Sequence, residues 1–85
     1  MKTHEIKLNI NFCEDVLSGE KNFEIRKNDR GYQKGDHIKF IPVEMKGGVP
    51  LRRHSAIENK KYIITYVLSG WGLQPDFVAF GIKEM

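Results

Sequence analysis

The chain has little cysteine and no long apolar run. Its single cysteine, Cys13, excludes an internal disulfide and a metal site built from cysteines alone. No apolar stretch approaches the roughly 20 residues that a membrane-spanning helix needs. Lys7, Asn9 and Asn11 interrupt the N-terminal segment, so it lacks the apolar run of a secretory signal. We expect a cytoplasmic protein with no membrane contact.

Histidine is scarce, and His4, His37 and His54 show no paired ligand spacing. Structural zinc sites place their ligands in close pairs along the chain. We therefore expect no metal, and the sequence suggests no cofactor.

The 85 residues can bury one modest core, so we expect a single domain over residues 1–85. The net charge of +3 is concentrated in one segment, because residues 46–61 carry five Lys or Arg and one Glu. A local basic excess favours contact with phosphate. It falls short of the strongly basic surface of proteins that bind nucleic acid by charge alone.

Charge is densest in residues 19–30, which read G-E-K-N-F-E-I-R-K-N-D-R. Gly19 stands where a short helix should end, because glycine takes the left-handed cap conformation without strain. A strand beginning at Lys21 or Asn22 should follow.

Alternation along this strand places Phe23 and Ile25 on one face, which we expect to be the core face. Asn22, Glu24 and Arg26 share the other face. That polar face is either a solvated surface, where Glu24 and Arg26 pair in water and contribute at most about 1 kcal/mol, or part of a binding site. The charged turn after the strand favours a site, since binding residues often lie on loops held by a rigid scaffold.

Flanking residues extend this stretch into a recognisable pattern: His4-Glu5-x-Lys7, then Gly19-x-Lys21-x-Phe23-Glu24-Ile25-Arg26-x-Asn28-Asp29-Arg30, then Gly35-Asp36. The pattern resembles a small bacterial and phage family of uncharacterised domains in the ASCH group (activating signal cointegrator homology), relatives of the PUA RNA-binding fold. The resemblance covers residues 3–40 and resumes over residues 62–82.

Apolar periodicity and helix-capping residues predict the remaining helix and strands. Asn11 and Glu14 fit a capping box for a two-turn helix with Phe12, Cys13, Val16 and Leu17 toward the core. Cys13 is then a small buried apolar residue rather than a nucleophile. Further strands are expected at Thr3–Leu8, Asp36–Val43, Lys61–Leu68 and Phe77–Ile82. In the second of these, Ile38, Phe40 and Pro42 share one face, and pairing should end at Pro42 or the strand should lie at an edge. The third should be central and well covered, and in the last Gly81 indicates a bulge or a close backbone approach.

Residues 46–60 have no convincing period and predict a long, flexible basic loop. It is either a solvated insertion or an arm that closes over a polynucleotide backbone. Trp71, between Gly70 and Gly72, is either an anchor pressed into the core, which we favour, or an exposed ring for stacking. Tyr32 is expected on the barrel rim.

These elements predict an α+β domain with a curled sheet or small barrel. The resemblance implies a small PUA-like β-barrel of five or six strands with one short N-terminal helix. It also implies a cleft between barrel and helix that gathers Lys21, Glu24 and Arg26, with His4 nearby and Asn28, Asp29 and Arg30 at the mouth.

We therefore expect a nucleic-acid-binding module, for RNA or a nucleotide, that uses this mixed-charge cleft. Glu24 would accept from a base amine, the basic residues would contact phosphate or carbonyl oxygen, and Trp71 or Tyr32 would stack.

Two alternatives remain open at this stage. One ASCH subgroup comprises small amidohydrolases acting on modified nucleosides such as acylated cytidines, and they use a G-x-K lysine, a threonine three residues later and a downstream glutamate. Lys21 matches, but Glu24 replaces the threonine, and Glu58 lies in the unmatched loop, so catalysis is not the function we favour. The other alternative is a protein-interaction domain.

Overall fold

The computed structural model describes residues 1–46, 49–51 and 55–85, which form strands and two short helices. Neither described helix has the length and apolar character needed to cross a membrane. All five strands expected from the sequence are present, and the α+β class is confirmed. The elements are β1 Thr3–Asn9, a 3-10 turn Ile10–Phe12, α1 Cys13–Ser18, β2 Phe23–Lys27, β3 His37–Lys46, β4 Val49–Leu51, α2 Ser55–Glu58, β5 Tyr62–Ser69 and β6 Phe77–Glu84.

The main sheet is mixed, with strand order β1-β3-β5-β6-β2. β1 runs parallel to β3, whereas β5 and β6 and then β6 and β2 pair antiparallel. The described backbone pairings do not join the outermost strands β1 and β2. A side chain of β2 nevertheless reaches β1, since Arg26 Nη2 donates to the Lys7 carbonyl at 2.6 Å, so the sheet is curled.

The core lies inside this curl and follows the two-residue period of the strands. Alternate side chains of β1, β3, β5 and β6 are buried, and α1 and α2 add to them. Cys13 is fully buried, as expected, and burial raises the pKa of its thiol, with Glu14 adding to the effect. The core residues are Ile6, Leu8, Cys13, Val16, Tyr32, Ile38, Phe40, Ile57, Tyr62, Ile64, Val78, Phe80 and Ile82.

The first helix begins differently from the sequence expectation. Asn11 does not cap α1, whose N-cap position is Phe12; instead, Asn9 caps the preceding 3-10 turn, and its side chain accepts from the Asn11 backbone N–H at 2.9 Å. This starts a 3-10 turn that rotates Phe12 away from the core and leaves it 45% exposed. Gly19 ends α1 in the left-handed conformation with φ +86°, as predicted.

Two expectations for the middle of the chain need revision. Pairing with β1 continues through Pro42 to Val43, and β3 extends to Lys46. The described residues of the expected 46–60 loop include β4, paired with β3, and the helical turn α2. The basic residues Arg52, Arg53 and His54 of that prediction, with Gly47 and Gly48, lie outside the described residues.

The strand pairing is irregular beside Gly81, as predicted, although the atom that approaches Gly81 most closely belongs to a side chain rather than to the backbone. The β5–β6 register shifts between Ile64 and Tyr66, and a Cβ added at Gly81 would lie 2.5 Å from Thr65 Oγ1. We expect Gly81→Ala to lower the free energy of unfolding by about 1 to 2 kcal/mol, as overpacking does. In a Thr65→Ala background the same change should cost less, because the obstructing oxygen is gone. Urea denaturation of the four proteins measures this, and an equal cost in both backgrounds would refute the steric cause.

Candidate functional site

β2 presents its polar side chains inward and its apolar side chains outward. Glu24 is 3% exposed, whereas Phe23 and Ile25 are 46% and 53% exposed. The β6 register explains the orientation, since Glu24 lies opposite Phe80, a core residue, and directly paired residues share a face. The predicted alternation is therefore correct, but the prediction that Phe23 and Ile25 belong to the core is wrong.

The Glu24 carboxylate forms ion pairs with two cationic side chains. Its Oε1 accepts from Arg26 Nε at 2.9 Å and Nη2 at 2.7 Å, and its Oε2 accepts from Lys21 Nζ. The exposed fractions of the Lys21, Glu24 and Arg26 side chains are 18%, 4% and 27%. The pairing is therefore shielded from bulk water, unlike the solvated surface pair that the sequence also allowed. We call these three residues the charge cluster.

The charge cluster borders a groove between β1 and β2, which we call the seam groove. The Arg26 contact with the Lys7 carbonyl divides it into two hollows of about 430 and 420 Å³ that share Lys7 and Arg26. The first is lined by Lys7, Leu8, Asn9, Phe12, Lys21, Phe23, Glu24, Ile25 and Arg26. The second is lined by Glu5, Ile6, Lys7, Arg26, Lys27, Asp29, Arg30, Tyr32 and Ile41.

Lys21 is positioned by aromatic rings as well as by Glu24. Its Nζ lies 5.3 Å from the Phe12 ring centroid and 5.2 Å from that of Phe23, and it donates to the Phe23 carbonyl at 3.0 Å. Such cation–π contacts help to hold the Lys21 ammonium in place. Sequence reasoning missed Phe12, because the 3-10 turn that exposes it depends on the Asn9 cap.

The three predicted site residues in the turn after β2, Asn28, Asp29 and Arg30, have two different roles. Asn28 shapes the turn, since its Oδ1 accepts from the Tyr32 N–H at 3.0 Å and its own N–H donates to the Asp76 carbonyl at 2.7 Å. Asp29 and Arg30 are exposed and line the second hollow beside the charge cluster.

His4 lies in the core and is neither a solvated strand end nor part of the charge cluster. It is 5% exposed, and its Nε2–H donates to Asp36 Oδ2 at 2.8 Å. Tyr32, expected on a rim and available for stacking, is 5% exposed and packs 4.8 Å from the His4 ring and 4.7 Å from the Phe80 ring. The two-residue period of β1 places His4 on the same face as Ile6 and Leu8, whereas the burial of Tyr32 depends on long-range packing that periodicity does not report.

The Asp36 carboxylate accepts hydrogen bonds from three donors. Besides His4, the backbone N–H groups of Lys2 and Gln33 donate to it at 3.1 and 3.2 Å. Burial would raise the pKa of this carboxyl group, but the hydrogen bonds from His4, Lys2 and Gln33 outweigh burial and hold the pKa below its ordinary value. Asp36 therefore joins β1 to the turn before β3.

Trp71 is not a core anchor, because it is 89% exposed. Its φ of +55° lies between Gly70 at +74° and Gly72 at +89°, so three successive residues are left-handed. A bulky residue in this conformation is strained, and such outliers are common at functional sites. Trp71 does not line either hollow of the seam groove.

The charge cluster presents charged, hydrogen-bonding groups to the seam groove. The catalytic candidates Lys21 and Glu24 contact each other, and neither described hollow is lined by a serine or threonine. Within the described residues, no group of three or more His, Cys, Asp or Glu could hold a metal ion. The seam groove can donate hydrogen bonds and positive charge to an anionic or carbonyl-rich ligand.

Comparison with known proteins adds two findings. A family model described as "Domain of unknown function (DUF3850)" matches residues 3–82. A segment of 37 residues is 49% identical to an "Uncharacterized 12.9 kDa protein in GpA 3'region" of Escherichia phage P2. That segment covers 44% of this chain and 34% of the phage protein, so the match spans about a third of this relative.

Proposed function

This chain belongs to the DUF3850 family, and from the geometry of its seam groove we propose that it is a nucleic-acid-binding module for RNA. The curled sheet with a short helix after β1 is compatible with a PUA-like barrel, which we include in the proposal. Support for this function comes from the groove.

One observation carries the proposal: the buried Glu24 carboxylate fixes Lys21 and Arg26 side by side at an open groove. Lys7 also lines this first hollow, so three cationic side chains accompany a single carboxylate. Positioned cations of this kind suit phosphate and base carbonyl oxygens. Because both Glu24 oxygens are already paired, its role here is to orient the two cations rather than to accept from a base amine.

The groove also offers neutral surface beside the charge. Leu8, Phe12 and Ile25 line the same hollow as the cations. A ligand that combines anionic groups with flat, weakly polar rings fits such a mixture better than a purely inorganic anion does. Nucleotides of an unpaired RNA have this combination, and their base edges are accessible for hydrogen bonding.

Arg26→Gln should weaken binding of an unstructured RNA of about 12 nucleotides by about tenfold, equivalent to about 1.4 kcal/mol. It should also reduce the slope of log affinity against log salt concentration by about one, because one phosphate contact is lost. Arg26→Lys should lie between the variant and the wild type, since it keeps the charge without the planar fork. Fluorescence anisotropy in a salt series measures all three proteins.

Lys39→Gln is the matched control for charge, because Lys39 is exposed on β3 and lines neither hollow. The RNA affinity of this variant should stay within about twofold of the wild-type affinity, because only a weak, non-specific charge effect is lost. Equal losses in the Arg26 and Lys39 variants, or no RNA binding by the wild-type protein, would reject the seam groove as an RNA site.

A further inference from the structure

The outward side of β2, β6 and β5 carries a row of exposed apolar side chains. Register places Phe23, Gly81 and Tyr66 side by side across the three strands, and Ile25, Ala79 and Leu68 in the next row. Phe23, Ile25 and Tyr66 are 46%, 53% and 62% exposed. We call these six residues the outer aromatic face. Contiguous exposed apolar surface of this kind marks an interaction site.

Charge at the ends of this face indicates the type of partner. Lys27 continues the outward row of β2 and Lys83 that of β6, and both are exposed. Among the described residues of these three strands, the outward positions contain no Asp or Glu. A second copy packed face to face would bring lysines toward lysines, whereas a polyanion with apolar rings would complement the face.

The outer aromatic face is continuous with the seam groove. Phe23 and Ile25 belong to the face and also line the first hollow, together with Lys21 and Arg26. β2 is an outermost strand, so one ligand can pass over its edge from the groove to the face. A flexible single strand can follow such a bend, whereas a stiff duplex cannot.

Spacing on the face suits flat rings. Phe23 and Tyr66 are separated by the β6 backbone, two strand spacings or about 10 Å. Gly81 between them has no side chain, and the small Thr65 side chain lies over it. Only this small side chain stands between the two aromatic rings, so we expect room for a base against either ring.

We propose that the outer aromatic face stacks bases of a single-stranded nucleic acid whose backbone is held in the seam groove. This inference rests on the proposed function and specifies its ligand as unpaired rather than duplex. Trp71, at the start of the β5–β6 connection, supplies a further exposed ring beyond the Leu68 end of the face. Base stacking on aromatic side chains is strong and tolerant of sequence.

The test compares an unstructured RNA of about 12 nucleotides with a blunt duplex of the same length. Tyr66→Thr removes the most exposed ring of the face while keeping a strand-forming residue. It should weaken single-strand binding by about tenfold, since losing one stacked base costs that order of affinity, and leave duplex binding within about twofold. Met85→Ala, which removes an apolar side chain that is 60% exposed outside the face, should change neither affinity.

Trp71 gives a second readout because it is the only tryptophan in the chain. Stacked bases should quench its fluorescence with the same concentration dependence as binding. Trp71→Gly suits the left-handed backbone, so its unfolding midpoint should not fall while single-strand affinity does. The unfolding midpoint of every variant, including Tyr66→Thr, distinguishes lost stacking from lost folding.

The outcomes separate the two proposals. If Arg26→Gln weakens RNA binding but Tyr66→Thr and Trp71→Gly do not, the stacking inference is overturned and the groove proposal stands. If the Tyr66 variant alone weakens binding, the face binds RNA without the groove, and the shared path fails. A dimer in sedimentation equilibrium that Tyr66→Thr dissociates, with unchanged RNA affinity, identifies the occupant as a second copy and overturns the inference.

Discussion

Glu24→Leu is expected to lower the free energy of unfolding by about 3 kcal/mol. Removing one partner of a buried ion pair leaves the other charge without compensation, and this costs roughly 3–5 kcal/mol. Here the remaining Lys21 and Arg26 side chains are 18% and 27% exposed, so partial hydration places the cost at the lower end. Their mutual repulsion adds to the loss, because the carboxylate no longer separates them.

A triple variant, Lys21→Met with Glu24→Leu and Arg26→Met, provides the matched comparison. Replacing all the charged partners by apolar side chains removes the uncompensated charge, so most of the lost stability should return. RNA binding should not return, since both cations are absent. Urea denaturation and anisotropy measure the two properties. If Glu24→Leu alone is as stable as the wild type, the charge cluster is solvated and the groove is not preorganised.

Asp36→Ala is also expected to cost about 3 kcal/mol. It leaves the buried His4 ring N–H and the backbone N–H groups of Lys2 and Gln33 without their acceptor. Each unsatisfied buried donor costs about 1–3 kcal/mol, and the two backbone groups are only partly buried, so the sum lies near the lower limit. Asp36→Asn keeps one acceptor oxygen and should cost less.

The pH dependence of this stability follows from the lowered pKa of Asp36. Its stabilising contribution is fully present above the unfolded-state value of 3.8 and is lost as pH falls through the lower folded-state pKa. The difference in unfolding free energy between wild type and Asp36→Asn should therefore be constant above that value and shrink below it. A difference that does not change on acidification would show that the Asp36 charge does not stabilise the fold.

Local sequence signals correctly predicted much of the local structure, although not the helix cap or the elements within residues 46–60. The five strands, the left-handed Gly19 after the first helix and the burial of Cys13 were all expected from the sequence. Each depends on neighbouring residues, because strand alternation and glycine caps are properties of a short backbone segment. The contacts between Lys21, Glu24 and Arg26 also join residues within one short stretch, so their grouping was predictable.

The direction in which β2 faces was not predictable in this way. Phe23 and Ile25 have the composition of a core face, and a rule that buries apolar residues assigns them inward. The observed orientation depends on β6, whose register places Glu24 beside Phe80. It depends equally on β1, because the curl of the sheet brings the Lys7 carbonyl to Arg26.

The hydrogen-bond partner of His4, the burial of Tyr32 and the exposure of Trp71 illustrate the same limit. Alternation places His4 on the face of Ile6 and Leu8, but Asp36, the acceptor that satisfies its ring N–H, lies 32 residues away. Tyr32 is buried because the His4 and Phe80 rings pack against it. Trp71 is exposed because three left-handed residues carry it away from the sheet. Residue order therefore specified the elements, their alternation and the local charge cluster, whereas only three-dimensional packing decided which face is buried, since burial depends on partners distant along the chain.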